Sequence, residues 1–393
     1  MLTSLALIFL VGLLFGKFFY WLKLPSLLGM MLAGMLLGPY GLGLLDDNLL
    51  LISADLRQLA LVIILTRAGL ALQVEDLKKV GRPAVLLCFL PAVCEMVGVV
   101  LLAPLLLEVS RLDAAIMGSV LAAVSPAVVV PRMLKLMEEG YGKKAGIPSL
   151  ILAGASVDDV FVIVVFTAFT GLAASETAIS ATDFLQVPVS IVLGSFAGWV
   201  IGYGLQRYFC MFHMRDSVKV LILLSVSFLL VQAEDSLEGM VPFSGLLAIM
   251  TMGIALLRFY PVLAGRLSQK YNKLWVAAEV TLFSLVGATV NISYALQFGV
   301  AAILVVAGAL VFRMGGVCLC VAKTSLSPKE RLFTMLAYTP KATVQAAIGG
   351  IPLSMGLGCG EMVLTVAVLA ILMTAPFGAV CIDHTYQRLL QKE

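Results

Sequence analysis

The sequence predicts an all-α polytopic membrane protein with thirteen transmembrane helices, on three observations. First, 61% of the 393 residues are hydrophobic and only 12% are charged, whereas soluble domains carry about 25% charged residues. Second, apolar runs of about 20 residues, the length that crosses the hydrocarbon core of a bilayer, recur along the whole chain. Third, the connections between these runs are short and alternate in charge. These observations exclude a soluble globular protein.

The predicted spans follow one another along the chain, and no change of composition marks a separate soluble domain. The first apolar run has no basic residue before it, and Lys17 and Lys23 lie at its far end. A secretory signal carries its positive charges before the apolar run, so we expect a retained span. The thirteen predicted spans are residues 2–21, 25–44, 53–73, 83–106, 113–136, 146–173, 184–206, 217–233, 243–259, 273–290, 298–321, 329–354 and 361–381.

The charges of the connections predict how the spans are oriented, because cytoplasmic connections carry an excess of lysine and arginine. Thirteen spans satisfy the alternation with the N-terminus outside and the C-terminus inside. The predicted outer connections hold Asp46, Asp47, Glu108, Asp113, Glu176, Asp183, Glu234, Asp235, Glu238 and Glu361, with only Arg57 and Arg111 as bases. The predicted inner connections hold Lys17, Lys23, Lys78, Lys79, Arg82, Arg132, Lys135, Lys143, Lys144, Arg207, Arg215, Lys219, Arg258, Arg266, Lys270, Lys273, Lys323, Lys329, Arg331, Arg388 and Lys392.

Two adjacent carboxylates, Asp158 and Asp159, lie in the middle of a segment, residues 145–174, that holds no other charged residue. A carboxylate at mid-bilayer costs a few kcal/mol at least, and two neighbouring carboxylates repel each other. A cation, a proton or a basic partner must compensate them, which is the chemistry of a cation-binding, proton-exchanging site. Consecutive helical residues point about 100° apart. We therefore expect one carboxylate to face a cavity and the other to lean toward a basic partner or backbone amides.

Three further charged residues lie deep within predicted spans, namely Glu95, Arg313 and Lys341. Together with the two aspartates they come close to balancing in charge. Breaking a buried ion pair by removing one partner costs about 3–5 kcal/mol. We therefore expect a Glu95–Arg313 pair to be structural rather than transporting.

Prolines in the middle of two spans predict broken helices. Pro126 and Pro131 lie in the fifth span, and Pro340, followed by Lys341, lies in the twelfth. A proline in a helix interior removes a backbone donor and clashes with the preceding turn. Freed backbone groups at membrane depth are tolerated only against protein or a cavity. Besides the aspartates, Ser125 Oγ and loosened carbonyls of the fifth span are therefore candidate ligands for a hard cation.

The two broken spans stand seven apart in chain order, which predicts an inverted repeat of spans 1–6 and 8–13 joined by span 7. Broken helices at corresponding positions of inverted halves mark the midplane site of a secondary transporter. Half-helix ends leave partial charges there, and Lys341 can offset the carbonyl ends. We predict one membrane domain over residues 1–393, with repeat one at about 1–175, a linker helix at about 184–206 and repeat two at about 217–393.

Glycine and cysteine add expectations about packing. Gly194, Gly198 and Gly202 on the seventh span, and Gly12 with Gly16 on the first, suit close helix contacts, either within the protein or at a dimer face. The seven cysteines fall mostly inside apolar runs and show neither a disulfide framework nor zinc spacing, so we expect small buried hydrophobic side chains.

Five segments of the chain carry a family resemblance. They are LAGMLLGPYGLG (32–43), TRAGLAL (66–72), VSPAVVVP (124–131), ASVDDV (155–160) and TPKATVQAAIG (339–349). Together they resemble the monovalent cation:proton antiporter superfamily, and most closely its NHA branch, the sodium(lithium)/proton exchangers of bacteria and animals. The resemblance covers essentially all thirteen spans.

This resemblance implies a homodimer, with a dimerisation domain and a six-span core that carries two crossed discontinuous helices and moves as an elevator. It implies that Asp159 carries the ion and the proton beside Asp158. Glu95 and Arg313 resemble the family's buried ion pair, and Lys341 its basic residue at the crossover. Many double-aspartate relatives have a lysine near the position of Arg313. Because arginine stays protonated in proteins, the resemblance does not fix whether this chain shares their electrogenic stoichiometry.

The predicted function is secondary antiport of Na⁺ or Li⁺ against H⁺ in a cell membrane, most simply a bacterial inner membrane, without enzyme activity, cofactor or nucleic-acid partner. The alternative is K⁺/H⁺ antiport or sodium-coupled solute symport on the same fold. An intramembrane aspartyl protease would need its two aspartates on different helices, whereas these are adjacent on one. A channel is disfavoured because the sequence shows no repeated selectivity-filter segment.

Overall fold

The computed structural model describes residues 1–71, 81–174, 181–237, 241 and 243–392, and this part of the chain is all-helical apart from its connections. One antiparallel β-bridge joins Tyr141 to Lys392. Within the described residues, 8 helical stretches are long and apolar enough to cross a membrane, and two further apolar helices are shorter. The chain is therefore a multi-pass membrane protein, while the number of spans and their orientation stay predictions.

The helices overlap the apolar runs of the sequence, because only structures with internally satisfied backbone groups are stable in lipid. The first helices in chain order are α1 Leu2–Trp21, α2 Ser26–Leu37, α3 Asp47–Leu51, α4 Ser53–Ala71, α5 Arg82–Leu87, α6 Leu90–Leu106, α7 Arg111–Leu121, α8 Pro126–Glu139 and α9 Ile147–Ala174. They are followed by α10 Ala181–Met211, α11 Asp216–Leu237, α12 Gly245–Phe259, α13 Pro261–Ala288, α14 Ile292–Val321, α15 Pro328–Ala337, α16 Thr343–Ile348, α17 Ile351–Ser354 and α18 Gly360–Leu389.

The helices form two compact units. The first unit combines Met1–Ala54, Val74–Val162 and Val280–Glu393, and the second combines Asp55–Gln73 and Ile163–Glu279. Helices α4, α9 and α13 contribute residues to both units. All the residues of the candidate site described below belong to the first unit. The predicted repeats follow chain order instead, and they stay a prediction.

In the first unit, α6 and α14 pack closely along each other because glycines leave room between them. A side-chain carbon on Gly316 would lie 2.9 Å from the Cα atom of Pro91, and one on Gly98 would lie 2.8 Å from an aromatic ring of α14. Small residues allow helix backbones to approach in this way. The contact brings Glu95 of α6 to Arg313 of α14.

Residues from both glycine stripes pack within the chain. In the first unit, a side-chain carbon on Gly12 would lie 2.9 Å from Val280 of α13. In the second unit, a side-chain carbon on Gly198 of α10 would lie 2.2 Å from the carbonyl oxygen of Ala248 of α12. Of the two uses that the sequence left open, the structure thus shows internal helix packing.

Several helix boundaries differ from the predictions; α13, for example, begins at Pro261 instead of residue 273, and α2 ends at Leu37 instead of residue 44. The fourth span is divided, since α5 ends at Leu87 and α6 begins at Leu90, and the sequence signals this only through Pro91 in the first turn of α6. Pro131 was predicted to break the fifth span, but it lies inside α8, which continues through it. A single proline removes only its own N–H from the helix ladder, and the remaining bonds maintain α8 as one helix.

Candidate functional site at two broken helices

Two spans of the first unit are interrupted in their middle by buried, non-helical segments. The first break, residues 122–125, lies between α7 and α8, and the second, residues 338–342, lies between α15 and α16. Pro126 occupies the first position of α8, where its missing N–H has no partner to lose. Because both breaks are buried, their backbone groups need partners from the protein.

The two breaks contact each other directly. The N–H of Ser125 donates to the carbonyl of Pro340 at 2.8 Å. On the other side, the N–H of Lys341 donates to Thr374 Oγ1 of α18 at 3.0 Å. The C-terminal end of α7 and the N-terminal side of α16 therefore meet at one place, and such helix ends carry partial charges of opposite sign.

Two cationic side chains donate to carbonyls that the first break leaves without helical partners. Lys341 Nζ donates to the carbonyl of Leu121 at 2.6 Å. Arg313 Nη1 donates to the carbonyl of the next residue, Ala122. Positive groups are favourable at a helix C-terminus because its carbonyls carry partial negative charge.

An amide side chain completes this pattern. Gln345 Nε2 donates to the carbonyl of Ala123 at 2.9 Å and, with a longer bond of 3.3 Å, to that of Leu121. Three consecutive carbonyls at the end of α7 are thus occupied by protein donors. The expectation that loosened carbonyls of this span serve as cation ligands therefore does not apply to residues 121–123.

Arg313 lies at the centre of the site. Its Nη1 is 2.8 Å from Glu95 Oε2, and its Nη2 is 3.0 Å from Asp158 Oδ2. Its Nε donates to the carbonyl of Tyr338 at 2.6 Å, and its guanidinium carbon lies 5.6 Å from the centre of the Tyr338 ring. All four residues are fully buried. The guanidinium fork, with its five fixed donors, satisfies both carboxylates and both broken helices at once.

Glu95 also pairs with a second cation. Lys341 Nζ lies 2.7 Å from Oε1 and 2.8 Å from Oε2 of Glu95, and neither residue is exposed. Burying charges is unfavourable unless they are paired and hydrogen-bonded. Glu95, Asp158, Arg313 and Lys341 meet this condition, and their formal charges cancel. We call these four residues the buried charge network.

The two adjacent aspartates have different surroundings. Asp158 is fully buried, and its Oδ2 accepts hydrogen bonds from Arg313 and, at 2.8 Å, from the N–H of Val124. Its Oδ1 has no hydrogen-bond partner among the residues that the structure describes. Asp159, in contrast, is only half-buried. The difference follows from the rotation of about 100° between consecutive helical residues.

Ser125 presents a hydroxyl at the first break. Its Oγ is buried and, within the described part of the chain, has no hydrogen-bond partner. Although Ser125 is the N-cap of α8, its side chain does not form the usual capping bond. Hydroxyl and carboxylate oxygens are ligands that hard cations accept. Among the side chains described, no group of three or more His, Cys, Asp or Glu residues is arranged as a metal site.

Two residues of the site are not among those predicted from the sequence. Gln345 is an amide within the predicted twelfth span, and a buried amide needs hydrogen-bond partners, so its residue type was a usable signal. Tyr338 contributes its backbone carbonyl and the face of its ring. The residue type of Tyr338 does not indicate in the sequence that its carbonyl or its ring will contact Arg313.

Comparison with known proteins places this geometry in a family. The sequence profile described as "Sodium/hydrogen exchanger, transmembrane" matches residues 5–385. The chain is 36% identical over 386 residues to Sodium/hydrogen exchanger 9B2 of Homo sapiens, covering 94% of this chain and 70% of that protein. It is 31% identical over 388 residues to Sodium/hydrogen exchanger 9B1 of Homo sapiens, covering 94% of this chain and 73% of that protein.

A solved structure shares the fold. The sodium proton antiporter MjNhaP1 from Methanocaldococcus jannaschii at pH 8 superposes with a TM-score of 0.85 at 20% sequence identity, covering 99% of this chain and 98% of that chain. The family profile and the relatives named above confirm the resemblance to the cation:proton antiporter superfamily. The chain belongs to the sodium/hydrogen exchanger family, whose members are membrane transporters rather than enzymes.

Proposed function

We propose that this protein exchanges Na⁺ or Li⁺ for H⁺, and that cation and proton compete for the Asp158–Asp159 pair. The observation that carries the proposal is the charge arrangement at the crossing of the two broken helices. Asp158 belongs to a buried network whose charges cancel, and one of its oxygens accepts no hydrogen bond among the described residues. The next residue, Asp159, is a second carboxylate and is only half-buried. Carboxylate oxygens bind both protons and hard monovalent cations, so this pair can serve either ion.

The two aspartates have different roles in this proposal. Asp159 is the carrier, because a transported ion must reach its carboxylate from water and leave again. Asp158 is held by Arg313 and the Val124 N–H through one oxygen, and its Oδ1 can serve as a second ligand. Ser125 Oγ adds a third oxygen at the first break. A proton and a hard cation use the same carboxylate oxygens, so that binding of one displaces the other, which is the basis of antiport.

Arg313, Glu95 and Lys341 hold the two breaks in place and do not exchange ions themselves. The guanidinium stays charged at all working pH values, so Arg313 gives up no proton during the cycle. Lys341 and Glu95 contact each other in a fully buried position. Lys341 also donates to the Leu121 carbonyl at the crossing, and Glu95 neutralises the positive charge of Lys341.

The proposal also includes the arrangement of the spans in the membrane and the assembly of the protein. Thirteen spans with the N-terminus outside and the C-terminus inside satisfy the charge alternation, with repeats at about 1–175 and 217–393 around a linker helix at about 184–206. We place the protein in a cell membrane, most simply a bacterial inner membrane, as a homodimer whose core moves as an elevator. The family membership and the shared fold support the multi-pass transporter on which this arrangement is built.

The test is proton flux in proteoliposomes driven by gradients of Li⁺, Na⁺ or K⁺. We expect the wild type to exchange Na⁺ or Li⁺ and expect Asp159→Asn to abolish exchange while melting like the wild type. Retained sodium-driven proton flux in Asp159→Asn would refute the assignment of the carrier. Exchange of K⁺ alone, or sodium-driven uptake of a solute without counter-transported protons, would refute the cation or the antiport mode. Repeating the assay under an imposed membrane potential shows whether net charge moves.

A further inference from the structure

Gln345 makes a contact in the site that the proposed mechanism has not used. The residue lies in the short helix α16 and is 1% exposed. Its Nε2 donates to the carbonyls of Ala123 and Leu121, at 2.9 and 3.3 Å. Because both neighbours are acceptors, the orientation of the amide is set by its surroundings. Gln345 therefore connects the second broken helix to the end of the first.

The contact acts on one particular peptide group. The peptide between Ala123 and Val124 donates its N–H to Asp158 Oδ2 at 2.8 Å, and its carbonyl accepts from Gln345 at 2.9 Å. In a trans peptide the N–H and the carbonyl point to opposite sides. The aspartate and the amide therefore hold the same peptide group at its two ends, and Gln345 keeps the N–H side toward Asp158.

The two carbonyls bound by Gln345 depend on it to different degrees. Leu121 also accepts from Lys341 Nζ at 2.6 Å, so its carbonyl remains satisfied without the amide. For Ala123, the donor that the described part of the chain provides is the Gln345 amide. Loss of the amide would thus free the Ala123 carbonyl. Rotation of this peptide group would then turn the carbonyl oxygen toward Asp158.

We propose that Gln345 is a positioning residue that determines cation preference by keeping the Ala123 carbonyl out of the ion's coordination shell. The inference rests on the proposed function, since it assumes that a cation binds at Asp158 and Asp159. A freed backbone carbonyl would add an oxygen ligand beside the carboxylates. The number of oxygen ligands and the size of the cavity determine which cation a site prefers. An additional ligand favours larger cations, and it also slows ion release.

The experiment compares two variants that cannot donate an N–H bond with a matched control. Gln345→Met removes both polar atoms at nearly the same side-chain length, and Gln345→Leu removes them in a shorter side chain; neither variant adds a charge. The control, Ser119→Ala, alters another buried polar side chain of this region, whose hydroxyl donates within its own helix, to the carbonyl of Ile116 at 2.7 Å. Apparent KM and maximal rate are measured in proteoliposomes for Li⁺, Na⁺ and K⁺.

We expect the ratio KM(K⁺)/KM(Li⁺) to fall about fivefold to tenfold in the Gln345 variants. A change of this size corresponds to the free energy of about one hydrogen bond. The maximal rate with the preferred cation falls as well, because release is slower, and Ser119→Ala keeps the wild-type ratio. Either folded Gln345 variant decides the question, and protection against thermal unfolding by each cation provides a second readout without transport.

The outcomes separate the inference from the function on which it rests. Wild-type protein that shows no cation-driven proton flux would refute the proposed function and the inference together. Wild-type exchange combined with unchanged cation ratios in a folded Gln345 variant would refute only the inference. A uniform loss of rate with the wild-type order of cations would do the same, since it would show a merely structural role.

Discussion

Arg313 donates to two carboxylates and to one carbonyl from each broken helix. The chemistry of the guanidinium makes this possible, because its five donors spread over a rigid plane. A lysine ammonium has three donors on a single atom and cannot reach all four acceptors. Both breaks therefore depend on Arg313.

We predict that Arg313→Lys lowers the free energy of unfolding by about 1.5–3 kcal/mol for each charge-assisted bond that is lost. Melting temperature in detergent is the measurement, with cation-driven proton flux as a second one. Arg132→Lys is the control, since Arg132 is a partly exposed arginine whose pair with Asp383 lies in a more exposed position. Equal stability of Arg313→Lys and the wild type would contradict the central role of the guanidinium.

Glu95 and Asp158 differ in the number of buried cationic side chains with which they pair. Glu95 faces both Arg313 and Lys341, whereas Asp158 pairs with Arg313 alone. We therefore predict that Glu95→Gln lowers the melting temperature more than Asp158→Asn does. Removing one partner of a buried pair costs about 3–5 kcal/mol, and Glu95→Gln weakens two such pairs. The reverse order of melting temperatures would mean that Asp158, not Glu95, is the structural anchor.

At the scale of elements, the approach of α6 to α14 determines whether Glu95 and Arg313 can meet. Gly316 lies at the contact, where a side-chain carbon would stand 2.9 Å from the Cα atom of Pro91 and 3.0 Å from Cβ of Cys94. The neighbouring Gly315 faces open space, with nothing within 4 Å. The same helix thus offers one glycine that packing requires and one that packing does not.

We predict that Gly316→Ala destabilises the protein by about 1–3 kcal/mol through overpacking and reduces exchange by moving Arg313 relative to Glu95. Gly315→Ala is the matched control, and we expect it to be neutral or to stabilise by about 0.5–1 kcal/mol through helix propensity. Both are measured by thermal unfolding and by flux. Equal effects of the two substitutions would show that α6 and α14 do not depend on this contact.

The positions of most helices could be predicted from the sequence, because apolar runs and flanking charges are local signals. The interruption of the fifth and twelfth spans was marked by Pro126 and Pro340. The break before Leu90 and the continuity of α8 through Pro131 were not. Whether a proline ends a helix depends on which side chains can satisfy the freed carbonyls. At residues 121–123 those donors come from α14, from the second break and from α16, which no local pattern shows.

At the scale of the whole molecule, the predicted orientation can be tested by labelling single cysteines in a background with the 7 native cysteines replaced. Asp47 and Lys143 are both exposed in the structure and lie in connections of opposite predicted side. We predict that a membrane-impermeant maleimide labels Asp47→Cys in intact cells and Lys143→Cys only after permeabilisation, as expected from the charge of the connections. The reverse pattern would invert the orientation, and labelling of both in intact cells would contradict the span assignment.

The sequence alone determined the membrane character, the approximate positions of the helices, the unusual aspartate pair and the family, since these depend on composition and short motifs. Only the tertiary structure decided which charges pair. Arg313 meets Asp158 across 155 residues of chain, and Lys341 meets Glu95 across 246. It also decided that Asp158 lies inside the charge network while Asp159 stays half-buried, because the rotation of α9 about its axis depends on packing. Adjacent residues of one type are equivalent in sequence, and their neighbours in space make them different.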